Sequence, residues 1–187
     1  KGKLTGFVED PGRVMQLYPE ADNSIAAHYA RAYAWHRTAY PDKAVKEVDT
    51  LIAKDAHDPY FLELKGQILL ESGKPRDAIA PLREAVQRSG SRPMISALLG
   101  HALIATEDPQ YFDEAKRILK VSVQRDEDNP FAWYQLGLVY DREGDQPRAA
   151  LATAERHSLQ ADYGPALTNA EGAMRGLPPG TPHWIRA

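Results

Sequence analysis

Apolar residues recur at steps of three and four along most of the chain, and the clearest example is the stretch Asn129–Ala149. Trp133, Leu136 and Tyr140 fall on one face of a helix at this spacing. Gly144 follows them, and a glycine there favours the left-handed turn that ends a helix. The stretch therefore predicts a helical hairpin whose first helix buries its apolar face against the second.

The hairpin pattern repeats along the chain with a nearly constant period. The predicted first helices begin 34, 34 and 37 residues apart, at Ile25, Pro59, Pro93 and Pro130. The predicted second helices of the first three hairpins begin 34 residues apart, at Pro41, Pro75 and Pro109. Proline suits the first turn of a helix, because the N–H that it lacks has no partner within the helix there. Two series with one period predict four repeats over residues 25–161.

Two positions depart from this regular pattern. Pro81 lies inside the second helix of repeat two and predicts a kink, since its ring clashes with the preceding turn. In repeat three, Ala115 comes three residues later than its counterparts, although Pro109 is in register. We therefore expect the second helix of repeat three, capped by Asp108, to be about one turn longer than the others.

Residues 1–24 are predicted to form a lead-in half-repeat. Leu4, Phe7 and Val8 are apolar at helical spacing, and a second short helix should begin at Pro11 with Asp10 as its N-cap. The sequence opens at a lysine without an initiating Met or the apolar core of a signal peptide. We therefore expect the chain to be a fragment of a longer protein.

Residues 162–187 are predicted to form a capping helix and the start of a further helix. Pro178 should end the capping helix, and Thr181 and Pro182 should begin the next one. Trp184 is expected to fold back on the last helix rather than to bind a ligand. The preceding helix, which follows Gly144, should serve both repeat four and this closing unit.

The spacing of Trp133, Leu136, Gly137, Tyr140 and Ala149 resembles the tetratricopeptide pattern W-x₂-L-G-x₂-Y followed by a small residue and Ala. A single hairpin of this kind cannot bury its own apolar face, so neighbouring repeats stack on one another. The resemblance implies an all-α fold, namely a right-handed α-solenoid of about four helical hairpins with a half-repeat at each end.

In tetratricopeptide arrays the first helices line a concave groove with their second, fifth, ninth, twelfth and thirteenth residues. Carried over to this chain, these positions include small and aliphatic residues as well as polar and aromatic ones. The resemblance thus gives as candidate partner-binding residues Tyr29, Tyr33, His36, Arg37, Tyr60, Glu63, Gln67, Glu71, His101, Phe131, Tyr134, Leu138, Asp141 and Arg142.

The composition of this groove suits an extended peptide or a docked helix, because Tyr and Arg combine contact area with directional hydrogen bonds. Alternatively, some tyrosines fill gaps between adjacent helices, and the charged residues are ordinary solvated surface. Trp35 and Trp133 are expected in the core. Arrays that grip a terminal carboxylate resemble one another in having Lys and Asn where this chain has Tyr29 and Tyr33, so that mode is not supported.

A narrower resemblance is carried by GFVEDPGRV, YARAYAWHR, PYFLELKGQILLESGKPRDAIAPLREAV, GHALIATEDP and GPALTNAEGAMRGLPPGTPHWIRA. These segments are similar to the carboxy-terminal half of BepA-like periplasmic zinc metalloproteases, which assist outer-membrane protein assembly. The resemblance implies a periplasmic location and a catalytic zinc domain elsewhere in the parent protein. It also implies that this part presents substrates or assembly partners to the parent's own catalytic domain.

The chain itself is predicted to have neither enzymatic activity nor a metal site. Proteases of that family carry H-E-x-x-H, in which two histidines bind zinc and the glutamate activates water. None of the six histidines here has another four residues away, and cysteine is absent, which excludes disulfides and thiolate ligands. We therefore expect no cofactor in this chain and zinc only in the parent's catalytic domain.

Charge and hydropathy narrow the range of partners. The formal net charge is −3 and no run of Lys or Arg stands out, which disfavours nucleic acid. No apolar run approaches the roughly 20 residues that span a bilayer, which disfavours direct membrane insertion. The leading hypothesis is a protein-binding module of the parent protease. The alternatives are a free-standing scaffold or adaptor, and an oligomerisation or autoinhibitory module.

Overall fold

The computed structural model describes residues 2–187, and over this range it contains twelve α-helices, one 3₁₀ turn and no β-strand. The all-α fold class predicted from the sequence is therefore confirmed. The chain forms two compact units, Lys1–Gly90 and Ser91–Ala187, which are called unit 1 and unit 2 below.

Unit 1 contains six helices, of which the last four form two hairpins. They are α1 (Gly2–Val8), α2 (Pro11–Leu17), α3 (Ile25–Arg37), α4 (Pro41–Lys54), α5 (Pro59–Glu71) and α6 (Pro75–Arg88). The helices of the hairpins begin at the residues predicted from the proline series, and α6 continues through Pro81. The core of unit 1 lies between α3, α4 and α5 and includes Tyr29, Val48 and Ile68.

Unit 2 contains six helices and the 3₁₀ turn. They are α7 (Pro93–Ala105), the turn (Pro109–Tyr111), α8 (Phe112–Arg125), α9 (Pro130–Arg142), α10 (Gln146–Leu159), α11 (Tyr163–Gly176) and α12 (Pro182–Arg186). Leu99, Leu119, Trp133 and Leu136 are buried in its interior. The predicted core position of Trp133 is confirmed, while Trp35 in unit 1 is partly buried against the core.

The prediction of a longer second helix in repeat three is wrong. The helix α8 has 14 residues, the same number as α4 and α6. The three additional residues form the separate 3₁₀ turn, and Asp108 caps that turn by accepting a hydrogen bond from the Gln110 backbone N–H at 3.2 Å. The extra length thus enters the loop rather than the helix.

The two ends of the chain differ in how they pack. Asp10 caps α2 as predicted, with its side chain accepting hydrogen bonds from the backbone N–H groups of residues 12 and 13. The apolar residues Leu4, Phe7 and Val8 of α1 are exposed, and the buried residues of that helix are glycines. At the other end, Trp184 packs with the cluster that contains Leu151, as predicted.

Candidate functional site

The predicted groove residues of unit 1 lie on α3 and α5, and we call this set the unit 1 wall. It consists of Tyr29, Tyr33, His36, Arg37, Tyr60, Glu63, Gln67 and Glu71. Contacts link the two helices at both ends of the wall. The hydroxyl of Tyr29 donates a hydrogen bond to the backbone carbonyl of Tyr60 at 3.0 Å, and Nε2 of His36 lies 2.6 Å from a carboxylate oxygen of Glu71.

Aromatic rings form a continuous run across unit 1. Centroid distances are 6.1 Å from Phe7 to Tyr33, 6.2 Å from Tyr33 to Tyr29 and 5.6 Å from Tyr29 to Phe61. Tyr29 and Tyr33 are buried, with 8% and 6% of their surface exposed. Burial raises the pKa of both hydroxyls, that of Tyr33 to about 12, and the negative charge of Glu63 adds to each shift. These two tyrosines act as packing residues in this structure.

The short helix α1 covers part of the unit 1 wall. Its Gly6 approaches α3 so closely that a Cβ atom there would lie 2.6 Å from the carbonyl oxygen of Ala30. Arg37, a wall residue, donates hydrogen bonds to the carbonyl oxygens of Phe7 at 3.0 Å and Glu9 at 2.6 Å. Arg37 therefore binds the carboxy-terminal end of α1 and holds it against the wall.

The part of the unit 1 wall on α5 remains more accessible. Tyr60 is 40% exposed, and Gln67 donates a hydrogen bond to Glu71 at 2.9 Å. Glu63 is half-buried, and burial raises the pKa of its carboxyl group, while the positive charge of Lys3 opposes the shift. The accessible part of this wall thus combines an exposed tyrosine near the start of α5 with carboxylate and amide groups further along the same helix.

The predicted groove residues of unit 2 lie on α7 and α9, and we call this set the unit 2 wall. It consists of His101, Phe131, Tyr134, Leu138, Asp141 and Arg142. The rings of His101 and Phe131 meet edge to face with centroids 5.7 Å apart, which joins the two helices. Tyr134 is 43% exposed, and Arg142 lies 3.6 Å from a carboxylate oxygen of Glu107.

A cavity of about 270 Å³ adjoins the unit 2 wall and is called the repeat-four cavity below. Helices α9 and α10 supply most of its lining, and α11 adds Asn169. The lining residues that matter for its chemistry are Tyr134, Leu138, Asp141, Gln146, Thr153 and Arg156. The Arg156 guanidinium lies over the Tyr134 ring, 5.0 Å from its centroid, whereas Asp141 accepts a hydrogen bond from Gln146 at 2.9 Å. Groups of opposite charge thus lie at separate points of one cavity.

The residues that α10 and α11 contribute to this cavity, namely Gln146, Thr153, Arg156 and Asn169, are not among the predicted groove residues. The groove positions carried over from tetratricopeptide arrays lie on first helices alone. One signal was present in the sequence, because repeats two and three have Leu82 and Leu119 where repeat four has Thr153. A smaller residue at that register position predicts unfilled space next to α9.

A second cavity in unit 2, of about 430 Å³, lies where α12 meets α8, α9 and α10. Trp133, Leu136 and Tyr140 line it, and the Arg186 guanidinium lies 4.8 Å from the centroid of the Trp133 ring. Arg186 also forms ion pairs with Glu127 and Glu155. These contacts attach α12 to the rest of unit 2, and the cavity is the space that remains beneath it.

Neither unit offers a metal-binding cluster within residues 2–187, where no group of three or more His, Asp or Glu side chains is arranged to hold an ion. Over the same residues, no helix has the length and apolar character required to cross a bilayer. The candidate site therefore consists of the two walls and the repeat-four cavity.

No protein-family model matches the chain, and no curated protein matches it in sequence. Solved structures match its fold. YrrB, described as a TPR protein with an unusual peptide-binding site, superposes with a TM-score of 0.70 at 18% identity, over 91% of this chain and 88% of that chain. MamA from Desulfovibrio magneticus RS-1 has a TM-score of 0.63 at 18% identity, over 79% of this chain and 92% of that chain.

PilF of Pseudomonas aeruginosa is a third structural neighbour, with a TM-score of 0.59 at 18% identity over 94% of this chain and 84% of that chain. At such low identity the comparisons establish the architecture rather than a shared activity. The chain has the fold of a tetratricopeptide repeat protein.

Proposed function

We propose that the chain is a non-catalytic protein-binding module that binds a peptide segment on its first-helix walls. The observation that carries this proposal is the exposed ring of Tyr134 beside the repeat-four cavity. Aromatic residues with a polar end are favoured at binding surfaces, because they bury large area and still satisfy a hydrogen bond. The peptide-binding site named for YrrB supports the same kind of ligand for this fold.

The structure of the unit 1 wall modifies this proposal. Two of its tyrosines, Tyr29 and Tyr33, are buried in packing, and Arg37 binds α1. A ligand on unit 1 would therefore contact mainly Tyr60 and the polar wall residues of α5. The unit 2 wall has no such cover among the described residues. We therefore assign the principal binding surface to unit 2.

A narrower proposal places the module in a periplasmic zinc metalloprotease that acts in outer-membrane protein assembly or quality control. It rests on the sequence segments that resemble the BepA-like family, and the periplasmic location and the catalytic domain as a partner rest on the same segments. The coding sequence upstream of Lys1 tests it, since it should encode a signal peptide and H-E-x-x-H. A free-standing scaffold or an oligomerisation module would require neither.

Selection from a random 12-residue peptide display library tests the binding function. We expect selected peptides to bind Tyr134→Ala at least fivefold more weakly than the unchanged protein, and Tyr60→Ala to weaken binding by a smaller factor, because the principal surface lies on unit 2. Tyr163→Ala is the matched control, because Tyr163 is 69% exposed and belongs to neither wall. Equal loss with Tyr163→Ala, or no loss with either wall variant while the thermal midpoint holds, would place the binding surface elsewhere.

A further inference from the structure

The repeat-four cavity exists because the packing between a first-helix glycine and a second-helix leucine is missing in repeat four. A Cβ atom on Gly66 would lie 2.3 Å from Leu82, and one on Gly100 would lie 2.6 Å from Leu119. In repeat four the corresponding Gly137 has Ala152 as its nearest neighbour at 3.5 Å, with the Thr153 hydroxyl at 3.8 Å. Threonine is smaller than leucine, and the space beside α9 remains open.

Arg156 lines this open space and carries a charge that the chain does not neutralise. Its Nη2 lies 3.0 Å from Nε2 of His157, whose other ring nitrogen is 3.1 Å from a carboxylate oxygen of Asp162. Among residues 2–187, no carboxylate lies within 4.0 Å of the guanidinium, and its Nε is buried without a hydrogen-bond partner. A donor buried without a partner costs free energy, so the chain leaves this guanidinium incompletely satisfied.

The opposite charge in the cavity is too distant to pair with the Arg156 guanidinium. Asp141 is exposed and accepts its hydrogen bond from Gln146. It lies seven residues from Tyr134 on α9, a distance of roughly 10 Å along the helix axis. The end of the cavity at Arg156 therefore combines a free guanidinium edge with an aromatic face.

From these observations we propose that the repeat-four cavity is a subsite for a peptide carboxylate, which Arg156 binds. Arginine recognises carboxylates with charge-assisted and often bidentate hydrogen bonds, and the Tyr134 ring holds its guanidinium plane in place. This assignment rests on the proposed peptide-binding function and specifies the chemistry of one ligand group. Thr153 is the residue that keeps the subsite open.

The test uses capped heptapeptides of alanine and serine with one central Glu, Gln or Lys. A fourth peptide has a neutral centre and a free terminal carboxylate, which distinguishes a side-chain carboxylate from a chain end. Binding is followed by NMR through the Arg156 Nε–H and Thr153 methyl signals. We expect the Glu peptide, the terminal-carboxylate peptide or both to bind at least tenfold more tightly than the Gln and Lys peptides.

Three variants of the full chain test whether binding depends on Arg156 and on the open cavity. Arg156→Gln should lower carboxylate binding at least tenfold, whereas Arg175→Gln removes the same charge from a residue that does not line the cavity and should leave binding unchanged. Thr153→Leu should fill the cavity and abolish binding without lowering the thermal midpoint.

The outcomes separate this inference from the proposed function. Equal affinity for the Glu and Gln peptides, or equal affinity of Arg156→Gln and Arg175→Gln for the Glu peptide, would overturn the carboxylate subsite alone. Failure of every heptapeptide, together with a display library that yields no wall-dependent binder, would overturn the binding function and this inference together.

Discussion

The side chain of Leu82 occupies the space that Gly66 leaves open on the facing helix. An added Cβ atom on Gly66 would lie 2.3 Å from Cγ and 2.6 Å from Cδ2 of Leu82. Leu82 is completely buried, so it cannot move aside into solvent. This contact fixes how closely α5 and α6 approach each other.

Replacing this glycine should therefore destabilise the protein despite the better helix propensity of alanine. We expect Gly66→Ala to lower the free energy of unfolding by about 1–3 kcal/mol, the usual cost of overpacking a core. Gly137→Ala is the control, because its Cβ would meet nothing closer than 3.5 Å, and it should raise stability by up to about 1 kcal/mol. Urea denaturation measures both, and equal effects would show that the contact does not limit the helix approach.

The helix starts could be predicted from the sequence because proline in the first turn marks a boundary by a local rule. The packing of α1 against α3 could not be predicted from the sequence, because the buried face of α1 is formed by Gly2 and Gly6, which carry no apolar signal. Its apolar residues are largely exposed, although the Phe7 ring contacts Tyr33 of α3. The role of Arg156 was also hidden from the sequence, because it depends on a space that Arg156 lines together with the small residue Thr153, one turn earlier on the same helix.

All four loops between a first and a second helix contain one residue in the left-handed conformation. These residues are Ala39, Gly73, Glu107 and Gly144, with φ between 56° and 77°. An L-amino acid with a Cβ atom pays about 1–2 kcal/mol in this conformation, whereas glycine does not. We expect Ala39→Gly and Glu107→Gly to raise the free energy of unfolding by about 0.5–1 kcal/mol, the gain being reduced by the greater freedom of glycine in the unfolded chain.

The reverse substitutions are the matched test of the same positions. Gly73→Ala and Gly144→Ala should each lower stability by about 1 kcal/mol, since neither residue has an atom within 4 Å of its added Cβ and only backbone strain is introduced. Thermal or urea unfolding reports both directions. Stabilisation by Gly73→Ala would show that these loops relax to accept a side chain.

Helix α1 should detach from the unit 1 wall when Gly6 acquires a side chain. The Cβ of Gly6→Val would lie 2.6 Å from the Ala30 carbonyl oxygen, and that backbone atom cannot yield. We expect faster amide hydrogen exchange in residues 2–8 and a fall in the pKa of Tyr33 from about 12 towards the ordinary 10.0, because burial no longer raises it. Leu4→Ala is the control on the exposed face of α1 and should change neither measurement.

Arg31 is 2% exposed and connects three segments of unit 1. Its guanidinium donates hydrogen bonds to the Glu47 carboxylate at 2.8 and 3.0 Å and to the carbonyl oxygens of Pro19 and Asp22, each at 2.9 Å. The charge is thus paired, and the loop before α3 is fastened to α3 and α4. Loss of one partner would leave a buried charge without compensation.

We therefore expect Arg31→Met to lower the free energy of unfolding by about 3–5 kcal/mol. The double variant Arg31→Met/Glu47→Leu should recover part of this loss, because it no longer buries an unpaired carboxylate. Lys65→Met breaks an exposed ion pair with Asp49 and should cost less than about 1 kcal/mol. A double variant as unstable as Arg31→Met would show that the carbonyl contacts, rather than the ion pair, dominate.

Glu47 and Glu63 should respond to pH with opposite signs. Burial alone would raise the pKa of Glu47, but hydrogen bonds from Arg31 and His28 bring it below the ordinary 4.5. Its stabilising contribution is therefore present above pH 4.5 and is lost as the pH falls through the lowered value. Burial raises the pKa of Glu63 against the charge of Lys3, so its favourable state is the protonated one, which is lost as the pH rises through the raised value.

Consequently Glu47→Gln should destabilise the protein at pH 7 and have little effect in acid, whereas Glu63→Gln should stabilise it at pH 7 and have little effect in acid. Thermal midpoints of the two variants and the unchanged protein, measured from pH 3.5 to 7, give the comparison. A midpoint of Glu63→Gln below that of the unchanged protein at pH 7 would mean that the ionised carboxylate has a favourable partner in the folded chain. The Glu63 carboxylate would then be paired within the folded chain, unlike the Arg156 guanidinium in unit 2.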